Sequence, residues 1–447
     1  MKLSEIHGAL KALGTQPTRS LGQNFLHDQN LADWMVDQLD IQPGESWLEL
    51  GPGLGALTQC AVRRSSAGVL IEKDGRLAGY LREHYPQLEI VHGDATEYDV
   101  RSLFARGPVK VIGNLPYYVS SQILFQFTGE PSPVCMLSFT LQKELAERLS
   151  AEPRTKAYGA LTLLLGRRWR VKYLRTLGPA VFTPAPKVDS AVVLLTPRPA
   201  GELPECDGAR FNKLVKQGFS QRRKQLRKML PECTDRWAEL CAALGVEPTV
   251  RAEELSILQW INLTNLIDGR AGHDGAALAR QAQDVHGERF DVVDENDHVI
   301  AQASRHEVHE GNLRHRAVHV FVFDRHGQLF LQKRSRWKDR HPSVWDSSAA
   351  GHLNAGQDYD DTARRELAEE LGVEAPVELV ARIAACPETG WEFVGLYRAQ
   401  HQGPFKLPPA EIETGGFFSI DQVKHWIASR PQDFAPGFLR CWAEFNR

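Results

Sequence analysis

No stretch of the sequence approaches the roughly 18 consecutive apolar residues of a membrane-spanning helix. The opening MKLSEIHGALKALG also lacks the apolar core of a secretory signal. A cytoplasmic protein without a membrane partner is therefore expected. Net charge is equally scarce: 53 Lys and Arg against 56 Asp and Glu leave −3, so the average points to no polyanionic partner and any such signal must be local. The seven cysteines (Cys60, Cys135, Cys206, Cys233, Cys241, Cys386 and Cys441) contain no C-x-x-C pair and are odd in number. That argues against a zinc knuckle or a disulfide framework. Internal repeats and low-complexity tracts are absent too. What the chain has is length: 447 residues exceed one ordinary core, so two or more folding units are expected.

From about Glu45 to Gly113 short apolar runs (SWLEL, GVLIEKD, LEIVHGD, VKVIGN) alternate with helical stretches, the rhythm of a parallel sheet with crossover helices. From about Pro204 to Asp268 the pattern turns helical, in amphipathic segments separated by Pro and Gly. These readings divide the chain into an α/β domain at 1–200 and a small helical subdomain at 201–268. A Gly- and Ala-rich linker follows at 269–287, although a short helix inside it fits equally well. In the last domain, 288–447, FDVVDENDHVI and HRAVHVFVFDRHGQLFLQKR alternate like antiparallel strands, and DDTARRELAEELG reads as one helix ended by Gly372.

Gly51-Pro52-Gly53-Leu54-Gly55 lies where the first strand should turn into a helix, and its glycines let backbone approach a ligand closely. Taken alone it is a tight turn. Glu72 ends the second strand 21 residues after Gly51, where a carboxylate can accept hydrogen bonds from both ribose hydroxyls. Asp94 ends the third, where it can meet an adenine amino group. These strand ends favour a nucleoside cofactor without choosing between a dinucleotide and S-adenosylmethionine.

The fourth strand makes that choice, because it ends Gly113-Asn114-Leu115-Pro116-Tyr117. The exocyclic nitrogen of adenine is a poor nucleophile, its lone pair being delocalised into the ring. The side-chain oxygen of Asn114 and a backbone carbonyl at Leu115 can accept both N–H bonds and make that nitrogen more reactive. Pro116 stiffens the turn, and Tyr117 offers a face for a flipped base.

With these motifs in place, residues 18–268 resemble the KsgA family of small-subunit ribosomal RNA adenine dimethyltransferases. The likeness runs through LGQNFL at 21–26, ELGPG at 49–53, IEKD at 71–74, GDA at 93–95, GNLPY at 113–117, LQKE at 141–144, FTPAPKVDSA at 182–191, FSQRRK at 219–224 and RAEELS at 251–256. It implies a Rossmann-like fold and S-adenosylmethionine held by Asn24, Leu26, Gly51, Glu72, Asp94 and Asn114. It also implies transfer of two methyl groups to each of two adjacent adenosines in the 3′-terminal hairpin loop of 16S rRNA. Tyr118 stands where many members have Asn. A resistance-type methylase of large-subunit RNA is the alternative enzyme, and FSQRRK and RAEELS favour the small-subunit family.

Between Arg210 and Leu230 stand eight Lys or Arg and no acid. Arg222, Arg223, Lys224, Arg227 and Lys228 are read as phosphate contacts, against the plainer reading of a solvated helix face.

In the last domain, GHLNAGQ at 351–357 followed by RELAEELGV at 365–373 resembles the Nudix box. Glu366, Glu369 and Glu370 at i, i+3 and i+4 would crowd one helix face, where each like-charge pair costs roughly 0.2–0.5 kcal/mol. Mg²⁺ would relieve that repulsion and bridge to phosphate oxygens. HRAVHVFVF, GQLFLQKRS and WDSSAAGH bring 289–440 closest to the Nudix branch related to isopentenyl-diphosphate isomerase. Ala350 replaces the isomerase cysteine, so isomerase chemistry is not expected, and Gln357 replaces the first Glu of the box. Glu392, Glu413, His315, His319 and His352 are further ligand candidates, with satisfied strand and loop histidines as the plainer reading.

The expectation is a bifunctional α/β enzyme: a ribosomal RNA methyltransferase followed by an α/β/α Nudix hydrolase that cleaves a diphosphate-containing small molecule. The rival reading is a small-subunit assembly factor whose Nudix domain is an inactive interaction module.

Overall fold

The structure is a computed structural model and describes residues 1–18, 21–199, 201–269, 278–279 and 288–447. The chain forms two units, Met1–His273 and Asp274–Arg447. Most of the linker expected at 269–287 lies outside the described residues. No helix among the described residues is long and apolar enough to cross a membrane.

Unit 1 is built on a seven-stranded sheet. Its strands are β2 (Ser46–Leu50), β3 (Gly68–Glu72), β4 (Glu89–His92), β5 (Val109–Asn114), β6 (Val134–Gln142), β7 (Trp169–Leu177) and β9 (Ser190–Pro197), in spatial order β4-β3-β2-β5-β6-β9-β7. The two-residue strands β1 (Phe25–Leu26) and β8 (Phe182–Thr183) pair separately. Strands β2 to β6 are parallel, and β9 and β7 close the edge antiparallel. The central parallel strands β2 and β3 are apolar on both sides because both faces are covered, whereas edge strand β4 is only partly buried. Leu48, Leu50, Val69 and Ile71 enter one core, and Trp47, Leu70 and Ile112 the other. Strand order reverses between β2 and β5, which opens a crevice at the carboxyl edge of the sheet.

Helices Gly208–Gly218, Trp237–Leu244 and Ile257–Ile267 pack around Phe211, Trp237 and Trp260. This core includes Tyr158 and Leu163, and the Tyr158 hydroxyl donates to the Leu255 carbonyl at 2.7 Å. The helical part is thereby tied to the segment around helix Ala160–Gly166 that leads into β7. The basic stretch is not one helix face. Helix Gly208–Gly218 gives way to a single 3₁₀ turn at Phe219–Gln221, and Arg222, Arg223 and Lys224 lie in the connection before the short helix Leu226–Met229. Gly218 sits against Trp260 and Leu226, where a Cβ would fall 2.5 Å from the indole. The chain turns there because bulkier residues cannot approach.

Unit 2 begins with a hairpin of β10 (Arg289–Val293) and β11 (Val299–Ser304). Its main sheet runs β14 (Trp345–Asp346), β13 (Leu329–Arg334), β12 (His315–Phe323), β17 (Glu392–Gln400), β16 (Val377–Ile383), with β15 (Ala349–His352) on β12 and β18 (Ile412–Phe418) on β13. The two-residue alternation of β12 sets the layers. Val318, Val320 and Val322 pack with Ala363, Leu367 and Leu371 on one side. Phe321 and Phe323 meet Phe438 and Phe445 of helix Pro436–Phe445 on the other. The result is α/β/α. Helix Tyr359–Glu366, capped by Asp358, passes into a π-turn at Leu367–Leu371 and is stopped by Gly372 at φ 67°. The sequence predicts a regular helix throughout; π-turns often mark functional sites.

Candidate functional site

In unit 1 the carboxyl ends of β2 to β5 wall a cleft of about 980 Å³ including its open mouth, and Asn24, Leu26, Gly51, Glu72, Asp94 and Asn114 all line it. Gly51, Gly53 and Gly55 have φ of 64°, 60° and 83°. At Gly53 a Cβ would lie 2.9 Å from the Phe25 ring, while at Gly51 it would meet nothing, so that side stays open to a ligand. Glu72 is buried, which raises its pKa, and backbone N–H groups of Gly53 and Asp74 pull the other way at 2.9 Å each. Burial acts upward on Asp94 too, but Lys73 at 2.5 Å and the Thr96 N–H and hydroxyl hold it below the ordinary carboxylate range. Both acids are thus fixed in place before a ligand arrives. The open side of Gly51 and the buried Glu72 fit a nucleoside cofactor.

Glu49 is visible in the sequence only as the flank of the glycine turn. It is fully buried, accepts the Thr58 hydroxyl at 2.6 Å, and is pushed up to about 8 by burial, with the Glu72 charge adding. One of the two adjacent acids is therefore neutral near pH 7. Helix Leu3–Ala12 is a further part of the site that sequence reasoning missed: Met1 and Ile6 join the cleft wall, and Ile6 and Leu10 pack on Phe25 and Leu54. Sequence periodicity reveals an amphipathic helix and is silent about which surface it covers.

Asn114 donates its side-chain N–H to the Asn24 carbonyl at 2.7 Å. Because a carbonyl only accepts, this contact fixes which end of the amide is the oxygen and leaves Oδ1 for another donor. The LGQNFL segment is pressed on the N-L-P-Y turn: at Gly22 a Cβ would lie 2.9 Å from Pro116. Tyr117 lies outside the cleft lining, and its half-buried ring is tied by its hydroxyl to Ser190 at 2.6 Å. Tyr118 does wall the cleft and is 61% exposed.

Arg222, Arg223, Lys224, Arg227 and Lys228 are all exposed. Arg222 differs from the others because it pairs with Glu253 at 2.5 Å and donates to the Thr155 carbonyl at 3.0 Å. It ties the basic connection to its own unit.

In unit 2 the charges of Glu369 and Glu370 both act on Glu366. Burial raises Glu366 to about 8, with Glu370 adding, and raises Glu370 to about 7. Glu370 accepts from Gln332 at 3.0 Å and from the Ala350 N–H at 3.2 Å. Gly351 makes room for Glu366, since a Cβ there would fall 2.1 Å from its carboxylate. Glu369 is exposed and shares Arg365 with Glu366, each pairing with it at 2.8 Å. Gln357 exchanges hydrogen bonds with Asn354 inside its own loop, and Glu413 pairs with Lys333 at 3.1 Å.

A second cluster lies in the same unit. His309, His315 and His352 bring one ligand nitrogen each within 4.8 Å of one another. Glu392 lies 3.0 Å from His352 and 3.6 Å from His315. Although burial opposes it, these two imidazoles hold the Glu392 carboxyl well below its ordinary range. Burial, then His352, pushes His309 down to about 3, so its ring is neutral. Nε2 of His309 is buried without a hydrogen-bond partner, and that of His315 has only the Glu392 oxygen at 3.6 Å. An orphaned nitrogen beside two further imidazoles and a carboxylate fits a divalent cation. His319 takes no part, being satisfied by Ser347 at 2.6 Å. Sequence reasoning missed His309 because it comes from helix Arg305–Glu310, whereas His315 and His352 come from strands.

The "Ribosomal RNA adenine dimethylase" family model matches residues 14–269, and the "NUDIX domain" model matches residues 313–438. A ribosomal RNA small subunit methyltransferase A of Aromatoleum aromaticum is 39% identical over 255 residues, spanning 57% of this chain and 95% of that protein. Among solved structures, a dimethyladenosine transferase from Plasmodium falciparum is 22% identical with a TM-score of 0.48, covering 56% of this chain and 99% of that one. A Deinococcus radiodurans crystal structure is 28% identical with a TM-score of 0.30, covering 32% of this chain and 90% of that one.

Proposed function

This chain belongs to the ribosomal RNA adenine dimethylase family and carries a NUDIX domain behind the matched region, and from that premise we propose that it dimethylates N6 of two adjacent adenosines in the 3′-terminal hairpin loop of 16S rRNA. S-adenosylmethionine is the methyl donor the family uses, and when bound it supplies an electrophilic methyl group. The observation that carries the reading is the convergence of Asn24, Leu26, Gly51, Glu72, Asp94 and Asn114 on one cleft.

In this reading Glu72 receives the ribose hydroxyls and Asp94 the adenine amino group of the cofactor. Asn114, with its N–H held by Asn24, turns Oδ1 to the target amino group. The Leu115 carbonyl accepts the second N–H, so the lone pair on N6 is drawn out of conjugation. Tyr117, steadied by Ser190, offers its ring to the flipped base. Residues 201–268 act as the RNA-binding subdomain, with Arg223, Lys224, Arg227 and Lys228 turned to phosphates and Arg222 anchoring the connection. Incubating the full chain with undermethylated small subunits and S-adenosylmethionine, then scoring dimethyladenosine by mass spectrometry, tests this. Absence of dimethyladenosine at the hairpin would overturn it.

For residues 288–447 we propose Mg²⁺-dependent hydrolysis of a small diphosphate compound. Glu366 and Glu370 hold the cation, Glu369 stands at its margin, and His309, His315, His352 and Glu392 offer a second cation position. When bound, the cation polarises the diphosphate and lowers the pKa of water. The chain contributes the paired buried acids, the Gly351 gap that admits Glu366, and Gln332 and Ala350 N–H groups that orient Glu370. Following phosphate or nucleotide release across a diphosphate panel, with and without Mg²⁺, tests it. A wild-type chain that binds Mg²⁺ and releases nothing would instead support an inactive module.

A further inference from the structure

Unit 1 has a second cavity, about 1240 Å³ including its open mouth. It lies between the end of helix Ser120–Thr128, the start of β7 and helix Gly208–Gly218. Helix Ser120–Thr128 leaves the N-L-P-Y turn at the carboxyl edge of the sheet and ends just before β6, whose first residue Val134 pairs with Val109, the first residue of β5. The cavity is therefore at the amino edge, opposite the methylation cleft. At a rise of about 1.5 Å per residue, that helix separates the two by roughly 12 Å.

Arg167, Arg168 and Lys216 line this cavity with Asn212, and Glu130 is the single acid among its lining residues. Glu130 is already engaged by Arg168. Arg167 is different. Its Nε, like that of Arg168, is buried without an acceptor, but its guanidinium also has no hydrogen bond or ion pair among the described residues; it lies over the Phe211 ring at 5.9 Å. Arginine does not shed its proton in proteins, so a half-buried guanidinium that feels the Glu130 and Glu205 charges without a hydrogen-bonded partner is costly. Gly208 makes the slot for it, since a Cβ there would lie 2.8 Å from Nη2. Gly208, Asn212 and Lys216 recur at i, i+4 and i+8, which puts them on one helix face. Phe125, also on the lining, is 38% exposed.

We infer that this cavity is a second RNA contact, in which Arg167 and Lys216 hold a backbone phosphate of the ribosomal RNA substrate and Phe125 faces a neighbouring base. An anion supplies the missing partner for Arg167, and a phosphodiester fits the excess positive charge. Lys216 also begins the exposed basic stretch that runs on through Arg223 to Lys228, so the cavity continues a phosphate track already present. The inference rests on RNA being the substrate.

The test uses the full chain with undermethylated small subunits. Arg167→Gln and Lys216→Gln should each raise KM several-fold and lower the slope of log affinity against log salt by roughly one unit. Saturating kcat and S-adenosylmethionine affinity should be unchanged. Arg167→Met should weaken RNA binding in the same way while raising the melting temperature, because it removes an unpaired buried charge; a merely structural arginine would lower both. Unchanged KM and salt slope in both Gln variants would overturn the inference, as would loss of inorganic phosphate binding with RNA affinity intact. If the wild-type chain neither binds nor methylates the subunits, the failure belongs to the functional reading and not to this cavity.

Discussion

Replacing Asn114 by Ala should abolish methyl transfer while leaving the fold and most of the cofactor affinity intact. The side chain does two things: Nδ2 holds the Asn24 carbonyl at 2.7 Å, and Oδ1 is left to accept from the target amino group. Losing the first removes one hydrogen bond, a net cost of about 0.5–1.5 kcal/mol, small against the roughly 5–15 kcal/mol that stabilises a domain. Losing the second removes an acceptor aimed at developing charge; groups of that kind carry about 10²- to 10³-fold in kcat, about 2.7–4 kcal/mol. Cofactor affinity should fall by less than about tenfold, the equivalent of roughly 1.4 kcal/mol. Asn114→Asp sharpens the test, because it keeps an acceptor toward the substrate but sets a carboxylate oxygen against the Asn24 carbonyl, so it should fail nearly as badly. Dimethyladenosine would be quantified by mass spectrometry, cofactor binding by calorimetry and folding by thermal melting. Near-wild-type methylation by Asn114→Ala would refute the assignment of the target pocket.

Charge reversal of Arg223, Lys224, Arg227 and Lys228 should weaken RNA affinity and cut the log–log salt slope by up to roughly one unit for every phosphate no longer neutralised. Arg222→Glu should in addition lower the melting temperature, since it sets like charge against Glu253. Glu370→Gln keeps an oxygen to accept from Gln332 and Ala350, so the fold should survive while Mg²⁺-dependent hydrolysis falls by orders of magnitude; equal turnover would place the chemistry elsewhere. Cation affinity at the Glu366–Glu370 pair should rise with pH, because acids raised to about 8 and about 7 must lose protons to ligate. The same shifts mean that cation-free stability, full below the ordinary carboxylate range near 4, is lost as pH rises toward 8; titration calorimetry and melting between pH 6 and 8.5 would show a flat response if the pair were not buried. Gly351→Ala should displace Glu366 and silence hydrolysis without touching methylation, which parallel assays of both activities would detect.

Much of the first site was legible because a parallel α/β unit puts its ligand-binding groups at strand ends, and strand ends can be read from local pattern. Gly51, Glu72, Asp94 and Asn114 each follow an apolar run, and the sheet order brings them together at one edge. Asn24 and Leu26 are visible only through motif resemblance, since nothing local says that their segment folds back on the N-L-P-Y turn. The Nudix-box acids were legible as a spacing but not as a geometry: i, i+3, i+4 assumes a regular helix, whereas the chain makes a π-turn at Leu367–Leu371, with Glu366 buried, Glu370 half-buried and Glu369 exposed.

By itself the sequence determined the two folding units, the strand ends that carry the first site and the acid-rich helix of the second, because burial periodicity and turn chemistry act over a few residues. Tertiary structure alone decided what depends on distant segments meeting. It set Glu49 beside Glu72, laid helix Leu3–Ala12 on the cleft at the sheet's carboxyl edge, gathered His309 with His315, His352 and Glu392, and left Arg167 without an acceptor over Gly208. Burial and partner identity are properties of the packed chain, and they fix which charges are shared, which are orphaned and which await a ligand.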